Sequence, residues 1–154
     1  MAKGLTVTIR HLFRHPITTQ YPEQRLNTSR RIRGNELIWD KMKCTGCATC
    51  SKSCPQGAIQ VITSINLEEN KYKVEKFEVD TGYCIQCGLC VEACPFEALY
   101  MGYAYERAKY RRGDIVQSNE MLLASEERRP SGYMYPGIAE ELPKQTLLVE
   151  RDKR

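Results

Sequence analysis

Apolar residues recur along this chain in two different periods. Over residues 72–80, Tyr72, Val74, Phe77 and Val79 fall among Lys73, Glu75, Lys76 and Glu78, the near-alternation of a strand with one buried face. Residues 36–41, 58–63 and 98–102 read as three more short strands, and the polar stretch 66–71, with Glu68, Glu69 and Asn70, reads as the turn joining the middle pair. The first fifteen residues differ. Leu5, Thr8, Ile9, Leu12 and Phe13 share one face at helical spacing, while Lys3, Arg10, His11, Arg14 and His15 occupy the rest. This predicts a basic amphipathic helix ended by Pro16, suited to a membrane interface or a groove of a membrane subunit. His11 and His15 lie one turn apart without a third ligand nearby, so they are expected to be solvated.

Between the strands the sequence repeats with an offset of 40 residues. Asp40 matches Asp80, Ala58 matches Ala98, Ile59 matches Leu99, and each copy carries the spacing C-x2-C-x2-C-x3-C-P. The first run is Cys44, Cys47, Cys50 and Cys54-Pro55; the second is Cys84, Cys87, Cys90 and Cys94-Pro95. An internal duplication explains the repeat. The spacing is that of chains holding two [4Fe-4S] clusters, in which the fourth cysteine of each run ligates the other run's cluster. Three thiolates can converge from one tight loop and the fourth must come from elsewhere. Cys44, Cys47, Cys50 and Cys94 are therefore expected at cluster 1, and Cys84, Cys87, Cys90 and Cys54 at cluster 2. Crossed ligands make cluster assembly part of folding. Pro55 and Pro95 fix the chain direction after each crossover ligand.

A zinc ribbon needs only paired C-x2-C knuckles and leaves the third and fourth cysteine of each run unexplained. Disulfides would suit a secreted chain, yet no apolar signal segment precedes the motifs. Ala48, Ile59, Ile85, Leu89, Val91, Ala93, Leu99, Tyr83 and Phe96 surround the cysteines as core filler that also keeps water from the clusters. The expected fold class is α+β, a duplicated two-cluster bacterial-ferredoxin fold with extended N- and C-terminal arms. The expected division is a basic arm over residues 1–35, a ferredoxin domain over 36–102, and a C-terminal extension over 103–154. From Ser131, with Gly132, Pro136, Gly137 and Pro143, that extension reads as an extended strap.

Charge is placed unevenly. Residues 1–40 carry seven basic side chains against three acidic ones, a surplus of four that equals the net charge of the whole chain. The basic arm lacks the aromatic platform or readout helix that nucleic acid would require, so no nucleic-acid partner is expected. There is no run of ~18 apolar residues of the kind a membrane span needs, and no G-x-G-x-x-G loop for a dinucleotide.

The stretch Gly4-Leu5-Thr6-Val7-Thr8, then His11-Leu12-Phe13-Arg14-His15-Pro16-Ile17-Thr18-Thr19-Gln20-Tyr21-Pro22-Glu23 and Arg31-Ile32-Arg33-Gly34, resembles the N-terminal signature of the two-cluster ferredoxin-like subunit of respiratory complex I, NADH:quinone oxidoreductase. Phe77-Glu78-Val79-Asp80, the second cysteine run and Met101-Gly102-Tyr103-Ala104-Tyr105-Glu106 extend the resemblance over roughly residues 4–125; it weakens from about Arg111. The resemblance implies an electron-relay subunit without catalytic residues, passing electrons from the NADH and flavin side towards the terminal cluster and quinone. Its partners would be peripheral-arm cluster subunits and a membrane subunit at the arm junction, with NADH and quinone reached only through them. It implies a peripheral position on the cytoplasmic side of a cell inner membrane. The first residues do not read as a transit peptide, so a bacterial member is expected. The equivalent subunit of a ferredoxin- or hydrogenase-linked membrane complex is the alternative, and a free ferredoxin the third, which the long arms disfavour.

Overall fold

The computed structural model describes residues 2–14, 18–66, 71–125 and 128–146. The expected helix stop at Pro16, the turn residues Glu68, Glu69 and Asn70, and His15 lie outside them. The chain divides into two compact units, one of Met1–Asn27 with Gln145–Arg154, the other Thr28–Lys144.

In the first unit, α1 (Ala2–Leu12) has no buried residue. Leu5, Leu12 and Phe13, the face predicted to be apolar, are 63%, 77% and 83% exposed. Thr6 and Thr8 turn their hydroxyls onto the carbonyls of Ala2 and Leu5 at 3.0 and 2.9 Å, so both polar side chains are satisfied within the helix.

The second unit is built on the repeat. β1 (Leu37–Trp39) pairs antiparallel with β4 (Leu99–Met101), Trp39 opposite Leu99, and β2 (Ile59–Asn66) pairs with β3 (Lys71–Asp80), Ile59 opposite Val79. The duplication is visible in single hydrogen bonds. Asp40 N–H donates to Ala98 O and Asp80 N–H to Ala58 O, each at 2.8 Å. Two four-residue helices, α2 (Thr49–Lys52) and α3 (Leu89–Glu92), occupy matching places and carry the third cysteine of each run, Cys50 and Cys90. The backbone is left-handed at matching positions as well: Gly46 and Gln86, Ala48 and Gly88, Gly57 and Glu97.

The core lies between the two sheets. Leu37, Trp39, Phe77, Val79, Val91, Leu99, Met101 and Leu122 are buried together, where apolar area is worth about 25 cal/mol per Å2 removed from water. Along β2 and β3, Ile59, Val61, Phe77 and Val79 point inward while Gln60 and Glu78 point away, as strand periodicity demands.

Contacts divide the chain elsewhere than at 35/36 and 102/103. Residues 103–144 pack on the ferredoxin body. β5 (Val116–Gln117) pairs with β3, giving a three-stranded sheet ordered β2-β3-β5. The Asn119 side chain continues this edge, accepting from Phe77 N–H and donating to Glu75 O. On the other sheet, Gly102 bridges to Pro130 and Ser131 N–H donates to Met101 O at 2.7 Å. Exposed sheet edges invite unwanted pairing, and this extension covers two of them. Where a strap was expected, Pro136–Glu141 forms a short helix, α4, with proline in its first turn. Leu142, just after it, is 4% exposed.

Candidate metal centres

Each cysteine run enters its loop through an aspartate at the end of a strand, Asp40 just after β1 and Asp80 closing β3. Asp40 Oδ1 accepts from Met42 and Lys43 N–H, Asp80 Oδ1 accepts from Gly82 N–H, and Cys44 and Cys84 N–H donate back to the two aspartate carbonyls at 3.2 and 3.1 Å. These aspartate turns explain why Asp recurs at the offset of 40. At the far end of each run the crossover sulfur is also held. Ala58 N–H donates to Cys54 Sγ and Ala98 N–H to Cys94 Sγ, each at 3.3 Å.

The eight cysteines separate into two groups. Cys44, Cys47 and Cys50 line one cavity together with Cys94, among Val61, Phe77, Phe96 and Leu99. Cys84, Cys87 and Cys90 line a second together with Cys54, among Leu37, Ile59, Ile85 and Met101. Each cavity thus joins the first three cysteines of one run with the fourth cysteine of the other. The cavities are nearly equal, about 350 and 360 Å3 of space opening to solvent. Among the described residues no three His, Cys, Asp or Glu side chains are placed to hold a single metal ion. Four soft sulfur donors around each such cavity fit a thiophilic group of several atoms.

Burial raises two of the thiols strongly. Cys50 is pushed up to about 11 and Cys90 to about 12, each by loss of solvation and then, in smaller measure, by neighbouring cysteines. Cys84 is raised for the same first reason. Cys47, exposed to solvent, is lowered by hydrogen bonds from the side chain and backbone of Thr49. Binding a metal group to the buried thiols drives off their protons, so loading couples to pH.

The apolar residues near the cysteines fall into two sets. Ile59, Val91 and Leu99 are core, whereas Tyr83, Ile85, Leu89 and Phe96 are between 43% and 62% exposed. The latter form an apolar collar open to solvent among the described residues, with the Arg112 guanidinium over the Tyr83 ring at 5.0 Å. Sequence reasoning missed the cover over the second loop. Tyr133 lies against Gly88, donates its hydroxyl to Glu92 at 2.8 Å, and carries the Arg33 guanidinium over its ring at 5.5 Å. Arg33 also donates to Cys87 O at 3.1 Å. The signal was present in the repeat, where Gly88 stands in place of Ala48.

Fold and donor groups together define a two-cluster ferredoxin-type protein. Residues 43–114 match the family described as "4Fe-4S dicluster domain". A subunit from Geobacter metallireducens, "NADH-quinone oxidoreductase subunit I 2", is 41% identical over 126 residues, covering 80% of this chain and 95% of that one. "NAD(P)H-quinone oxidoreductase subunit I" of Gloeobacter violaceus is 36% identical; the alignment covers 75% of this chain and 54% of the relative. With "NADH-quinone oxidoreductase subunit I 2" of Symbiobacterium thermophilum the shared region is 52% of the relative, so the chain spans about half the length of some curated relatives. Among solved structures, a chain of the membrane-bound sulfane sulfur reductase, an archaeal respiratory membrane complex, superposes with a TM-score of 0.53 at 29% identity, covering 71% of this chain and 56% of that one. The chain belongs to the NADH-quinone oxidoreductase subunit I family. It carries two [4Fe-4S] clusters.

Proposed function

We propose that this chain is the electron-relay subunit of an NADH:quinone oxidoreductase, with no substrate site of its own. The observation that carries the reading is the pair of four-cysteine cavities built into one small body. Cys44, Cys47, Cys50 and Cys94 hold one cluster; Cys84, Cys87, Cys90 and Cys54 hold the other. The clusters supply reversible one-electron uptake and release. The protein's part is to fix the eight sulfurs, to donate N–H bonds to Cys54 and Cys94, and to exclude water with Phe77, Ile59 and Leu99.

The partners are peripheral-arm subunits on the apolar collar of Tyr83, Ile85, Leu89 and Phe96, and a membrane subunit reached by the exposed face of α1. No helix among the described residues is long and apolar enough to cross a membrane. The residue division proposed for the assembled complex is an arm over 1–35, the cluster domain over 36–102 and a partner-facing extension beyond, on the cytoplasmic side of the inner membrane.

The archaeal similarity favours one other reading, in which the same subunit serves a membrane complex fed by a different donor. Isolation in mild detergent decides between them. Co-purified NADH-oxidising subunits and reduction of both clusters by NADH are expected; reduction by reduced ferredoxin but not by NADH moves the chain to the second reading. The purified chain should hold about eight iron and eight acid-labile sulfide, as two cubanes require. Stoichiometric zinc overturns the relay altogether. Removing residues 1–14 should release the loaded chain from membranes, and unchanged membrane association refutes docking through α1.

A further inference from the structure

The two cysteine loops are alike in ligands and unlike in what stands beside them. Thr45 and Thr49 occupy the positions that Ile85 and Leu89 occupy in the second copy. Both threonines line the first cavity. The Thr49 hydroxyl lies 3.3 Å from Cys47 Sγ. A metal-bound thiolate carries no proton, so in the loaded protein the hydroxyl is the donor and the sulfur the acceptor.

Among the described residues the hydroxyl has no other hydrogen-bond partner. Thr49 is the first residue of α2, but the N-cap is Ala48, in the left-handed region at φ 57°, and the helix has no side-chain cap. A threonine there gives up helix propensity relative to leucine, the residue used in the other copy. Cys47 itself is exposed, whereas Cys87 lies partly buried beneath Arg33 and Tyr133.

We propose that Thr49 is a positioning residue that raises the reduction potential of the group held by the first site, acting through Cys47. This rests on the reading of Cys47 as a cluster ligand. A hydrogen bond to a ligand sulfur draws electron density from it and favours the reduced, more negative state; the levers on such potentials are net charge, hydrogen bonds to sulfur and solvent exposure. Leu89 offers no donor, so the second site lacks this shift. The duplication thus became a pair of unequal sites by exchange of side chains outside the ligand set.

The test is an EPR-monitored redox titration of the anaerobic holoprotein. T49V should lower the midpoint potential of the first-site signal and leave the second in place, T49S should restore it, and L89T should move the second signal upward. Two signals with full iron and sulfide in T49V, neither displaced, overturn the role of Thr49 while leaving the ligand reading intact. An equal displacement of both signals overturns it too, since a general loosening would act on both. If T49V fails to load, resonance Raman on the unaltered holoprotein decides. A shift of an iron–cysteine sulfur stretch on exchange into D2O that is larger than in T49A protein supports the bond, and equal shifts in the two proteins refute it. A C47A protein with both EPR signals unchanged overturns the ligand reading instead.

Discussion

Trp39 and Phe77 stack with ring centroids 5.1 Å apart and planes 7° from parallel. One ring comes from each sheet, and both residues are 1% exposed. The pair is the contact through which β1 with β4 meets β2 with β3. W39A should lower the unfolding free energy of the holoprotein by about 3–5 kcal/mol, of which the stacking itself contributes about 1 kcal/mol. W39F should recover most of the loss. Anaerobic thermal unfolding checks this, and a W39A loss below ~1 kcal/mol would contradict the placement of the core.

Gly88 has φ +85°, and a Cβ placed there would stand 2.7 Å from Tyr133 Cε1. G88A therefore meets both backbone strain, of order 1–3 kcal/mol, and a ring in its way. The expected result is a displaced Tyr133 and faster loss of the second cluster than of the first, followed by EPR during exposure to a chelator. Y133A should have a weaker effect alone and should partly relieve G88A. Additive losses in the double variant would show that ring and glycine do not meet.

Glu36 is 2% exposed, paired with Arg107 and, at 3.2 Å, with Arg128 Nε. Burial pushes its carboxyl above the ordinary 4.5, opposed by the two arginines and the Ala104 backbone. A folded value above the unfolded one means that the native state binds the proton more tightly. Stability is then highest below pH 4.5 for this group and falls as pH rises through the folded value. E36Q should flatten that part of the stability–pH curve. R128A should push the carboxyl higher and cost up to about 3 kcal/mol at neutral pH, where it leaves a buried charge with one partner fewer. Urea unfolding across pH reads both; a wild-type minus E36Q difference that rises with pH through this interval would reverse the sign.

C54A takes the crossover sulfur from the cavity of Cys84, Cys87 and Cys90. It should abolish or broaden the second EPR signal and spare the first, with C94A doing the converse. The opposite pattern would mean that each run closes on its own fourth cysteine.

The cysteine runs, the offset of 40 and the four strands were legible because each rests on regular spacing. Strand ends moved by a few residues, as at β2, which runs on to Asn66. The packing of residues 103–144 was not legible, for its contacts come from isolated side chains and backbone. Asn119 patches the β3 edge, Leu122 joins the buried core as a single side chain, and Ser131 bonds through its N–H. None of these has a periodicity. Glu36 counted in the sequence as one more surface acid, since its arginine partners stand about 70 and 90 residues away. The Gly88–Tyr133 contact needed the fold before the glycine acquired a reason.

Translation meets a constraint in the crossed cavities. The first cavity lacks its fourth wall sulfur until Cys94 has left the ribosome, and the second lacks Cys90 until four residues earlier. A nascent chain ending between the two runs offers only one complete loop and one stray thiol. On the proposed ligand set, cluster insertion waits for the second half of the repeat, and a truncated product would carry no finished centre that could draw electrons from its neighbours.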